Sequence, residues 1–195
     1  MMKLRSKTLS RSPKRQVGMG LPTLLMGIVI IGAMTAKGIE MYNGWKLEND
    51  VDTVVESSRK VGQGLDAYKR QWKHFNGFAN SDVWNSPQLY TESLRSPVAD
   101  QFNTVFSDNG IQYAPVTSVT NRAGKNFTSP TAKPMWVQQS YSGITTGACY
   151  MAVDKLIGEA LQISLNGTRI HDNATKKSEC DKAGDTTGAT LQIVM

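Results

Sequence analysis

The chain has 195 residues, 39% of them hydrophobic, which suffices for one core of ordinary size plus an extension and excludes both a disordered chain and a multidomain enzyme. Its 22 Lys and Arg against 16 Asp and Glu give a formal charge of +6, which on the whole chain would invite nucleic acid or an anionic membrane as a partner. Location removes that reading: Lys3, Arg5, Lys7, Arg11, Lys14 and Arg15 carry the excess, and residues 21–195 hold the other 16 basic residues (22 − 6) against all 16 acidic ones, so no direct nucleic-acid partner is expected.

Residues 1–20 form a basic segment with no acidic side chain. Residues 21–36 (LPTLLMGIVIIGAMTA) carry no charge, and Leu24, Leu25, Ile28, Val29, Ile30 and Ile31 make their most apolar stretch. About twenty such residues cross a bilayer core as a helix, so the run spans if its uncharged flanks are counted. The basic flank then keeps the N-terminus cytoplasmic and exports the chain beyond Ala36. A cleavable signal peptide and an uncleaved signal anchor are the plain alternatives. The former wants small residues at the third and first positions before the cut, of which Met34-Thr35-Ala36 supplies one.

The helical pattern continues past Ala36. Ile39, Tyr42, Trp45, Val51, Val54, Val55, Val61, Leu65, Tyr68 and Trp72 recur mostly at three- and four-residue steps, with charged residues on the other face. The spacing predicts one helix over residues 21–73, apolar all round at first and amphipathic later. Gly62 and Gly64 weaken it by about 1 kcal/mol each relative to Ala, so a bend or an earlier end near them is open.

Strands are predicted over residues 111–119, 135–141 and 191–195, with Asp108-Asn109-Gly110 as a turn before the first. Cys149, Ala152, Val153, Leu156, Ile157, Ala160 and Leu161 form a one-sided helical stripe that packs on a sheet. The expected fold is α+β: the long N-terminal helix covering one face of an antiparallel sheet in a C-terminal head, residues 74–195. No catalytic or cofactor-binding constellation is legible. His74 and His171 lack ligand spacing, and Cys149 and Cys180 cannot build a four-ligand zinc site, so neither metal nor enzyme is expected. On their own the two cysteines fit one disulfide, with two buried free thiols as the alternative. Trp45, Trp72, Trp84 and Trp136 read as core or interface anchors rather than binding platforms, and Tyr42 with Trp45 also suits a membrane boundary. The Asn126, Asn166 and Asn173 glycosylation patterns are common by chance.

The junction Gly18-Met19-Gly20-Leu21-Pro22-Thr23-Leu24-Leu25, a basic leader ending in glycine before an apolar helix that becomes amphipathic, resembles a type IV prepilin. The long leader and the non-phenylalanine first residue resemble the type IVb branch, which includes bundle-forming, toxin-coregulated and conjugative thin pilins. The segment Ser140-Tyr141-Ser142-Gly143-Ile144-Thr145-Thr146-Gly147-Ala148-Cys149, a later Cys180 and a final strand are similar to the heads of that branch; residues 75–133 match it by pattern only.

The resemblance implies cleavage between Gly20 and Leu21 by a membrane prepilin peptidase, and methylation of the Leu21 amine. Storage in the inner membrane, handling by an assembly platform, and extraction into an extracellular filament of this chain with other pilins would come next. Such filaments serve adhesion, aggregation or conjugative mating. Export to an oxidising compartment favours a Cys149–Cys180 disulfide, and the region it bounds, chiefly residues 169–179, would be an outward contact surface or a plain solvated loop. One position departs from the family: Leu25 stands where a glutamate is usual at the fifth mature residue. That glutamate is thought to neutralise a neighbouring subunit's N-terminal amine, a charge costly to bury alone. Glu40, about 22 Å further along a helix, cannot replace it. A minor or tip pilin, or pseudopilin, is therefore one alternative, and a single-pass anchored periplasmic binding domain is another.

Overall fold

The computed structural model describes residues 21–184 and 188–195, without the side chains of residues 21–24 and 27. The leader and Gly20 lie outside these, as do the side chains of Leu21 and Leu24. Two compact units are present, one ending at Asn43 and the other running over Gly44–Met195. Helix α1, Leu21–Trp72, belongs to both.

In the first unit Leu25, Ile28, Val29, Ile30 and Ile31 are all more than half exposed. In the second, the predicted stripe is buried: Val51, Val54, Val55, Val61 and Leu65 join the main core. Gly62 and Gly64 do not end the helix, which continues through both. They let neighbours approach, since a Cβ on Gly64 would fall 2.1 Å from Leu89 Cδ2 and one on Gly62 3.2 Å from the Met195 side chain. The helix stops where Lys73 turns left-handed (φ 62°), its N–H donating to Lys69 O at 2.8 Å.

Helix α2 (Asn80–Trp84) and two single 3-10 turns (Pro87–Leu89 and Glu92–Leu94) come after it. Next are strands β1 (Ile111–Val116), β2 (Ser118–Thr120), β3 (Asn126–Thr128) and β4 (Trp136–Ile144), helix α3 (Thr146–Leu156), strands β5 (Gln162–Leu165) and β6 (Thr168–Arg169), helix α4 (Asn173–Asp181) and strand β7 (Ala189–Val194). Five strands form an antiparallel sheet in the order β1-β4-β7-β5-β6, and β2 pairs with β3 apart from it. The α+β class is as expected.

Alternation along β4 puts Val137, Gln139 and Tyr141 into the core and leaves Trp136, Gln138 and Ser140 half-buried. Register carries the division across the sheet: Ile111, Tyr141, Leu191 and Leu165 lie in one buried row, while Gln112, Ser140 and Gln192 lie in a polar row beside it. The buried face shares its core with α1 and α3.

The predicted strand over 111–119 is two strands, because β1 ends at Val116 and β2 takes β3 as its partner. The outer edge of β1 is covered. Ile111 N–H donates to Phe102 O at 3.1 Å, and the Asn80 side chain accepts from Tyr113 N–H at 2.8 Å and donates to Ile111 O at 3.1 Å. Pro115 has no N–H to leave open, so this edge offers little to a foreign strand. Asn166 and Gly167, at φ 49° and 84°, make the two-residue turn between β5 and β6. Asn-Gly is a strong hairpin signal, set here in a stretch whose polarity suggests only a loop.

Three other expectations are corrected. The helix from Cys149 ends at Leu156, a turn early, so that Leu161 is 38% exposed. Residues 173–181, expected as loop, are helical. Of the four tryptophans expected as core or interface anchors, Trp45 and Trp72 are mostly exposed and lie outside the core, Trp136 is half-buried, and Trp84, also half-buried, packs against the core.

Candidate functional site: the bridged helix pair

Cys149 and Cys180 are joined, with Cα atoms 5.5 Å apart and both side chains fully buried. The bond ties α3 to α4. Helix α3 forms because its stripe, Ala148, Cys149, Ala152, Val153 and Leu156, has a core to enter. Helix α4 has little to bury beyond Cys180 and Glu179. It starts where Asp172, in extended conformation, accepts from Thr175 N–H at 2.7 Å, a side-chain cap on an otherwise orphaned donor.

Polar contacts flank the disulfide. The Tyr150 hydroxyl donates to Asp181 Oδ1 at 2.8 Å, and Lys176 pairs with Asp154 at 2.6 Å, both between α3 and α4. On the opposite side α3 and the turn after it meet α1: Arg59 donates from Nε and Nη2 to the two Glu159 oxygens at 2.7 Å each, and Lys155 pairs with Asp52. Each ion pair has at least one side chain about half exposed, although Lys176 keeps only 15% of its side-chain surface, and each contributes little by itself. Their geometric effect is to hold α3 between α1 and α4.

The region expected to be one outward surface is divided. Arg169 donates to Asn121 O at 2.8 Å, Ile170 and Glu179 are buried, and the exposed part is His171 to Ala174 with Lys177 and Ser178. The ring of His171 reaches Asp172 Oδ2 at 3.5 Å.

Two carboxyls here are acidified. The Arg59 fork holds Glu159 below the usual glutamate range, and the Thr175 hydroxyl and N–H hold Asp172 below the usual aspartate range. Both bind fewer protons folded than unfolded, so their stabilisation is complete above the ordinary carboxylate range and is lost as pH falls through the folded values. The urea midpoint should therefore fall with pH below about pH 4. Arg59→Gln and Asp172→Asn together should flatten that slope, with Asn kept as a competent cap; an unchanged slope in the double variant would refute the assignment.

Among the described residues no group of three His, Cys, Asp or Glu side chains is placed to hold a metal, and no helix is long and apolar enough to cross a membrane. The expected membrane run includes residues 21–24 and 27, whose side chains lie outside that set. Comparison with protein-family models, with curated proteins and with solved structures found no match.

Proposed function

We propose that the chain is a structural subunit of a type IVb-like pilus, held in the inner membrane by residues 21–36, cleaved after Gly20, and assembled with further copies through the N-terminal part of α1. The observation that carries the reading is the two-sided character of that helix. From Val51 to Leu65 its apolar stripe is buried in the chain's own core, whereas Leu25, Met26, Ile28, Val29, Ile30, Ile31 and Met34 stay more than half exposed. Apolar side chains at such density require a non-aqueous surround, lipid before assembly and neighbouring helices afterwards. The Cys149–Cys180 bridge adds support, as it suits an oxidising compartment. Gly32, Gly38 and Gly44, where a Cβ would meet no other part of the chain outside its own helix turn, are suited to close helix contacts in a filament.

Leu25 favours one variant of this reading, a minor subunit at a filament tip, whose N-terminus meets no subunit ahead of it. Subunit counting by quantitative mass spectrometry separates the two, since abundant filaments of this chain exclude the tip role. The decisive measurement for the class is intact mass after co-expression with a prepilin peptidase. Loss of residues 1–20 and gain of one methyl group is expected, with Gly20→Ala blocking both. An uncut chain, or one cut after Ala36, would leave the anchored binding domain as the better reading.

A further inference from the structure

Trp72 is the last residue of α1 and keeps 56% of its surface exposed. It borders a cleft of about 210 Å³ whose walls include Gly64, Tyr68, Gln71, Ser86, Gln88 and Leu89. The cleft exists because α1 and the 3-10 turn Pro87–Leu89 touch at Gly64, where any side chain would strike Leu89, itself 1% exposed. Its aromatic wall is braced. Tyr68 stacks on Phe75 with centroids 5.6 Å apart, meets Phe78 edge-on at 5.2 Å, and supports Trp72 from 6.2 Å. The left-handed Lys73 ends the helix one residue after Trp72.

The chemistry of the lining selects a ligand class. No lining residue is charged, which gives a phosphate, a nucleotide or an acidic peptide nothing to pair with. Lys69, although next to Tyr68 in sequence, lies 6.0 Å from the Trp136 ring instead. Two side-chain amides and one hydroxyl among the lining residues are a poor match for a lipid tail, since their hydrogen-bonding capacity would be desolvated unpaired. No hydrogen bond among the described residues uses the Gln71 or Gln88 amide or the Ser86 hydroxyl. The volume is below the roughly 300–1,000 Å³ of pockets for drug-sized molecules.

We propose that this cleft is a carbohydrate subsite for a single neutral pyranose unit, its C–H face laid on Trp72 and its hydroxyls bonded by Gln71, Gln88 and Ser86. A pyranose has one apolar face ringed by equatorial donors and acceptors, the complement of an exposed indole beside two amides and a hydroxyl. One ring stack and a few hydrogen bonds hold a ligand of this size with millimolar affinity. The inference stands without the filament reading, because it uses only residues between Gly64 and Leu89.

The test uses the full chain in micelles of a sugar-free zwitterionic detergent, titrated with methyl β-glucoside, methyl β-galactoside and N-acetylglucosamine. Tryptophan fluorescence and saturation-transfer NMR are the readouts. At least one sugar should give a saturable fluorescence change with transfer to its ring C–H protons. Trp72→Ala should weaken that binding about tenfold or more, Gln88→Leu should weaken it severalfold, and Trp72→Phe should keep part of it. Absence of saturable binding by all three sugars overturns the proposal, as does Trp72→Ala binding with unchanged affinity. Because Trp72 keeps 56% of its surface exposed, Trp72→Ala should still unfold cooperatively in urea with only a small fall in midpoint, which separates a lost contact from a lost fold.

Discussion

Opening the Cys149–Cys180 bond should lower the unfolding free energy by about 3 to 4 kcal/mol, the chain-entropy value for the 31-residue separation it spans. The loss should be uneven. Helix α3 has its own apolar stripe in the core, but α4 is held by the disulfide, the Asp172 cap and exposed polar contacts. With the bond replaced by a Cys149→Ala/Cys180→Ala pair, amide exchange over residues 173–181 should accelerate well before exchange in β4 and β7 does. The measurements are urea midpoints of the oxidised chain and the double variant, with residue-resolved exchange on both. A difference under about 1 kcal/mol, or uniform acceleration of the sheet and α4, would mean that local packing rather than the cross-link holds α4.

Replacing Gln139 by Leu should cost about 2 to 3 kcal/mol although it puts an apolar side chain of similar size into an apolar core. Gln139 is fully buried between sheet and helix, donating to Ser58 O at 3.3 Å and accepting from the Tyr141 hydroxyl at 2.8 Å. Leucine would leave that hydroxyl buried without a partner. The nearest alternative partners are two serine hydroxyls. The Ser57 and Ser58 hydroxyls lie close enough to Tyr141 to temper the upward push of burial on its phenol, yet neither makes a well-formed hydrogen bond, and the Tyr113 hydroxyl has none among the described residues. The sharper expectation is in the double variant. Gln139→Leu/Tyr141→Phe removes donor and acceptor together and should recover most of the loss, making it more stable than Gln139→Leu alone. Additive losses would show that volume, not the orphaned phenol, set the cost. Burial also pushes the Tyr113 and Tyr141 phenols well above the ordinary value near pH 10. Their neutral forms stabilise the fold fully below that pH, and the contribution is lost as pH rises beyond it. Phenolate absorbance from these two should thus appear with alkaline unfolding rather than before it.

The positions of Gln139 and Trp72 mark how far the sequence can be read. In 135–141 the alternation is legible, and with it the burial of Val137 and Tyr141; a glutamine in that same register carries the signal of a buried polar contact. Its partner Ser58 is 81 residues away, however, and nothing local names it. The Asn166-Gly167 hairpin and the Asp172 cap are written in short-range turn and cap chemistry, but the polarity of the segment around them masks both as plain loop. Trp72 falls on the helical stripe, and only the end of α1 at Lys73 and the approach of residues 86–89 leave it exposed beside a cleft.

The residues by themselves determined the long helix, its change from all-round apolar to one-sided and the α+β class, and they limited the only two cysteines to one bond or two free thiols, of which the structure shows the bond. Each comes from local periodicity or from having no competing partner. Tertiary structure decided the order β1-β4-β7-β5-β6, the break after Val116, the closing of the β1 edge by Asn80 and the reason Gly64 is a glycine. These depend on which distant surfaces meet, and a strand's alternation states which face is buried without stating what covers it.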